Sequence, residues 1–160
     1  MREYLYKTLG KDDSIFQISN SRFLDRVPVG YVLGYCTSQA IKLCASAPMS
    51  VGYHEAFHRV FELLIPDKVR DNIYSAYKKN NKNINTDRDV AEALADNFVS
   101  FMDKTEGYRD AHGLKSVVKF YKYAAQYFGL VSTLGFTQAY NMMSVYSNMN
   151  AGKYANSEIS

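Results

Sequence analysis

The chain has 160 residues, 19 Lys and Arg against 16 Asp and Glu, and a formal charge of +3, with 47% hydrophobic residues. That length suits one domain with a real core and is short for two. The slight positive balance, with no stretch concentrating Lys and Arg, argues against a nucleic-acid reader, and no apolar run approaches membrane-spanning length.

The opening, Met1-Arg2-Glu3-Tyr4-Leu5-Tyr6-Lys7, carries a basic residue but neither the apolar stretch nor the small-residue cleavage site of a secretory signal. The expectation is a soluble chain that does not leave the cell by the ordinary route. Up to about Val29 the sequence alternates short apolar stretches (Tyr4 to Leu9, Ile15 to Ile18) with polar breaks and gives short strand signals. Gly30 to Leu33 and Gln39 to Leu43 read as two strands around a turn, with Tyr31, Val32, Ile41 and Leu43 as apolar members. Cys36 and Cys44 do not have zinc-knuckle spacing and read as free thiols rather than a cross-strand disulfide.

Ala45 to Gly52 reads as a loop carrying Pro48. The apolar positions Phe57, Val60, Phe61 and Leu64 then keep helical spacing, which predicts a helix from about Ser50 to Ile65. Pro66-Asp67 opens a second helix on which Val69, Ile73 and Tyr77 repeat every four residues. It ends in the polar run Lys78-Lys79-Asn80-Asn81-Lys82-Asn83. Thr86, with Asp89 three residues on, reads as the N-cap of a third helix over about Asp87 to Lys104. Gly107 to Gly113 reads as a loop. Leu114 to Phe128 follows as an amphipathic helix, with Val117, Val118, Tyr121, Ala124, Ala125 and Phe128 on one face and Lys115, Lys119 and Lys122 on a solvated one. A last helix spans about Thr133 to Met149. Fourteen Tyr and nine Phe with no Trp suit a binding groove or an assembly contact, although core packing accounts for most of them.

The chemistry is concentrated in His54-Glu55-Ala56-Phe57-His58. Residues four apart lie one turn above each other on a helix face, so an H-E-x-x-H pattern lets two imidazoles grip one Zn²⁺. The glutamate beside the first is then placed to act on a metal-bound water. Zinc needs a third protein ligand, and the long form of the motif with a third histidine is absent. The candidate is Glu92, on the third helix, and Asp96 lies one turn beyond it on the same face. A carboxylate at Asp96 could accept the outer N–H of a ligating histidine and fix its tautomer.

Two histidines and a glutamate on one helix, followed by Glu-x-x-x-Asp on a later one, resembles the gluzincin metallopeptidases, the thermolysin-like group. The resemblance covers about Gly30 to Met102. The wording Gly52-Tyr53-His54-Glu55-Ala56-Phe57-His58-Arg59-Val60-Phe61, and the ending Tyr146-Ser147-Asn148-Met149-Asn150-Ala151-Gly152-Lys153-Tyr154, also look like zincin-like domains inside large proteins of crAss-like bacteriophages.

This resemblance implies zinc held by His54, His58 and Glu92, with Asp96 behind the ligands. Glu55 takes a proton from the zinc-bound water and returns it to the leaving amine of a cleaved peptide. The stretch Gln39 to Cys44 would pair with an extended substrate at the cleft edge. The family also uses a Tyr or His to stabilise the oxyanion, for which Tyr108 and His112 are the candidates here. A hydrogen-bond donor of that kind is worth roughly 2.7–4 kcal/mol in the transition state.

The expected fold is α+β: a mostly helical zincin-like domain with a small N-terminal antiparallel or mixed sheet and a C-terminal helical part. It is expected as a single domain over 1–160, with the sheet, motif helix and third-ligand helix in about 1–105 and the C-terminal helices in about 108–150. The polar ending Asn156-Ser157-Glu158-Ile159-Ser160 suggests a piece of something longer. The expected activity is zinc-dependent peptide hydrolysis on a peptide or protein substrate, in the cytoplasm of a bacterial host or in association with a virion and other phage proteins. Two other readings stay open. One is a structural virion component whose scaffold keeps the motif but cleaves little. The other is a zinc-stabilised module that captures a peptide without cutting it.

Overall fold

The structure is a computed structural model. It describes residues 1–10, 15–16, 47–104 and 129–155 in full, and the backbone alone of 17–19, 26–27, 30–31, 34–36, 41–44 and 105–112. Of the fully described residues, 79% are helical, in five helices, and none of these residues makes up a complete strand. The α+β class and the small sheet expected from the sequence are corrected accordingly: the fold that can be described is helical. Backbone pairing does occur between residues 16 and 44, in segments of two to four residues (β1 Phe16–Ser19, β2 Arg26–Val27, β3 Gly30–Tyr31, β4 Gly34–Cys36, β5 Ile41–Cys44). Pieces so short hold together only when something packs on them. Beyond Phe16 their side chains, including those of Cys36, Cys44 and the expected substrate-pairing stretch, lie outside the described residues. They define neither a fold class nor a cleft edge.

The α-helices are α1 (Arg2–Leu9), α2 (Met49–Arg59), α3 (Asp67–Asn80), α4 (Asp87–His112) and α5 (Leu130–Asn150). A five-residue π-turn, Val60–Leu64, continues α2. Among the described residues no helix is long and apolar enough to cross a membrane. The chain divides into two compact units, Met1–Leu64 with Met149–Ser160, and Ile65–Asn148.

In the first unit, α1 replaces the strand signal expected over Tyr4 to Leu9. Leu5, Thr8 and Leu9 are buried at helical spacing, and Tyr4 meets Tyr53 of α2 edge to face at 4.8 Å between ring centroids. Gly52 leaves room for the side chain of Met1, whose sulfur would lie 2.2 Å from a Cβ there. Pro48 stands at the N-cap of α2, where its fixed φ suits the helix entry and its missing N–H costs nothing. From Gly52 to Phe61 every residue except His54 is buried. Tyr53, Ala56, Phe57, Val60 and Phe61 make the apolar stripe, and Phe57 stacks on Phe61 at 5.2 Å. Gly152 lies at φ +75°, and any Cβ there would meet the Lys7 carbonyl oxygen at 2.7 Å.

In the second unit, α3 packs against α4, and Ile73 of α3 and Val90, Leu94 and Phe98 of α4 are buried. The Tyr146 hydroxyl of α5 lies 3.0 Å from the Leu94 carbonyl oxygen and 2.9 Å from Asn97 Oδ1, which fastens α5 to α4. Burial, and then the neighbouring Tyr77, push the Tyr146 hydroxyl well above its ordinary titration range, so it stays a donor. Gly135, at φ +76°, interrupts α5. The carbonyl of Thr133, two residues before the break, accepts from the side-chain amides of Asn80 and Asn81.

The start of α4 follows the expected cap: the Asp89 backbone N–H donates to Thr86 Oγ1 at 3.2 Å, with Asp87 and Asp89 in the first turn. Thr86→Ala is expected to lower stability by about 1 kcal/mol, read as a shift in the urea unfolding midpoint. A midpoint unmoved by the change would mean the cap contributes nothing. The far end departs from expectation. Helix α4 does not stop near Lys104 but runs on to His112, through the segment expected to be a loop. The side chains beyond Lys104, and the whole of the expected Leu114 to Phe128 helix, lie outside the described residues.

Candidate metal centre

The geometry of the motif begins with its helix. Because α2 is regular from Met49 to Arg59, His54 and His58 lie one turn apart on one face. Their rings meet edge to face with centroids 4.8 Å apart, and the two Nε2 atoms are 3.1 Å from each other. Two imidazole nitrogens that close face a common point, where they share either a proton or a cation. Nitrogens bound to one tetrahedral zinc at its usual bond length stand about 3.3 Å apart, so the pair already has almost the spacing a metal imposes. His54 is half-buried and His58 is 7% exposed.

Glu92 is half-buried in the second turn of α4. One ligand atom from each of His54, His58 and Glu92 can be chosen so that all three lie within 4.8 Å of one another. The three residues form a group that could hold a metal ion, and a set of two imidazoles and one carboxylate suits zinc among several divalent metals.

The remaining residues predicted from the sequence fall as follows. Glu55 is 9% exposed and is not one of the three grouped ligands, nor is Asp96, which lies on α4 one turn beyond Glu92 and is exposed. Tyr108 and His112 fall four residues apart in the last stretch of α4, on its backbone-only part, and their side chains lie outside the described residues.

One residue beside the centre went unread in the sequence. Glu62 Oε1 lies 3.6 Å from Nδ1 of His58, the ring nitrogen that faces away from His54. The signal was present as the same four-residue step repeated once more: His54, His58, Glu62.

Comparison with protein-family models, with curated proteins and with solved structures returns no match for this chain.

Proposed function

We propose that this chain is a zinc-dependent metallopeptidase with the ligand pattern of the gluzincins. The observation that carries the reading is the approach of the His54 and His58 Nε2 atoms to 3.1 Å, with Glu92 completing a three-ligand group. In this reading the zinc, when bound, lowers the pKa of a water molecule towards neutrality and polarises the carbonyl to be attacked. Glu55 accepts the proton of the attacking water and delivers it to the amine that leaves. Its burial supports this role, because a carboxylate in a site shielded from bulk water keeps its proton for the leaving group.

The test is cleavage of a mixed peptide library by the zinc-loaded protein beside Glu55→Gln. The variant is expected to keep its zinc and to lose at least a hundredfold in cleavage rate, the scale of a positioned general base. Cleavage that persists in the variant at the original rate would remove Glu55 from the chemistry.

The same burial supports a second reading. His58 and Glu55 expose under a tenth of their surface, as in centres where a metal secures a fold. Under it the chain is a metal-stabilised binding or virion-associated module. Zinc bound at full occupancy with no cleavage of any library peptide, by either protein, would select it.

A further inference from the structure

Taking the metal centre proposed above as its premise, we infer that Glu62 is a positioning residue of that centre, holding His58 from behind. His58 has two ring nitrogens with separate surroundings. Nε2 lies 3.1 Å from its counterpart on His54, and Nδ1 lies 3.6 Å from Glu62 Oε1. A neutral imidazole carries its proton on one nitrogen and its lone pair on the other. An anionic carboxylate on the Nδ1 side favours the tautomer with the proton there, and this frees the Nε2 lone pair for a metal. It also fixes the ring plane and makes the ligating nitrogen a stronger donor. The separation of 3.6 Å is beyond direct hydrogen-bond length, so this contact closes or takes in a water when Nε2 is occupied.

The backbone explains why a residue one turn past the motif is placed there. In a regular α-helix a residue four positions on lies about 40° further round the axis. The π-turn over Val60–Leu64 widens the helix where Glu62 sits, reducing the angle turned per residue. Glu62 is thereby brought more nearly into line above His58. Single π-turns are frequent at functional sites as well as at helix ends, and this one begins two residues after His58. Glu62 is also 43% exposed, whereas its neighbours Phe61 and Leu64 are buried in the core. His54, His58 and Glu62 belong to the same compact unit.

The experiment is a zinc titration against a chelating indicator on the wild-type chain and on Glu62→Gln, with the visible spectrum of each protein loaded with Co²⁺. Glu62→Gln removes the charge and keeps the shape. The expected result is a 10- to 100-fold weaker zinc affinity, the usual effect of losing a carboxylate behind a ligating histidine. The cobalt bands are expected to shift, and the far-ultraviolet circular dichroism of the metal-free protein to stay unchanged. A variant affinity within twofold of the wild type overturns the role of Glu62 and leaves the metal centre standing. A weaker affinity with unchanged cobalt bands also overturns it, because a change in general stability would not alter the field at the metal. If the wild-type chain itself takes up no zinc, the premise fails, and that arm alone shows it.

Discussion

His54→Ala is expected to strip the chain of its metal. The wild-type protein, supplied with zinc and dialysed, should hold about one zinc per chain by elemental analysis, and the variant close to none. The size of the effect follows from the ligand count. Structural zinc sites with four protein ligands bind with roughly 10–16 kcal/mol of apparent free energy, or about 3 kcal/mol per ligand. Removing one of the three ligands here should weaken binding by about a hundredfold or more. Alanine leaves the helix intact, and His54 is half-buried, so the apoprotein should fold as before. His58→Ala should lose metal equally but also open a space in a buried position, which makes it the less clean variant. Equal zinc content in wild type and His54→Ala would place the metal elsewhere and end the reading of this group as a site.

The largest effect on stability is expected from Phe98→Ala. Phe98 is fully buried, its ring centroid 6.2 Å from Phe101 and 5.2 Å from Tyr146. Removing it takes away a large apolar surface and leaves a cavity beside the Phe101 and Tyr146 rings, at a cost of about 3–5 kcal/mol. Small proteins have about 5–15 kcal/mol in total, so the variant should lose a large part of its stability. Urea unfolding followed by circular dichroism measures this directly. A change under about 1 kcal/mol would mean that the α4–α5 contact is not a core.

Legibility in the sequence tracked periodicity. The motif helix, α3 and the capped start of α4 were readable because their apolar residues recur at three- and four-residue steps and because Thr86 and Asp89 mark an entry. Helix α1 was not, since Tyr4, Leu5, Tyr6 and Leu9 suit a strand by residue type, and eight residues hold too few turns to display a helical stripe. The run of α4 to His112 was missed at Gly107, whose cost in a helix is only about 1 kcal/mol. The sheet was expected from β-branched and aromatic residues between Gly30 and Cys44, but strand propensity depends on what packs against the strand. At the site, His54, His58 and Glu92 were all legible as candidate ligands, two by spacing and one by its place on the following helix pair. Glu62 was not, because a motif search stops at the second histidine and an exposed glutamate on a helix looks like solvated surface.

The π-turn after the motif has a meaning in evolutionary terms. A helix whose bonds close over five residues instead of four has, in effect, absorbed one extra residue without breaking. Ahead of the turn the regular α-helix aligns the histidines, and the turn itself, which ends the helix, carries Val60, Phe61 and Leu64 into the core. A sister sequence with an unbroken α-helix here should align with a single-residue gap between His58 and Leu64. Losing that residue would leave the two histidines as they are and swing everything beyond by about 100° around the axis.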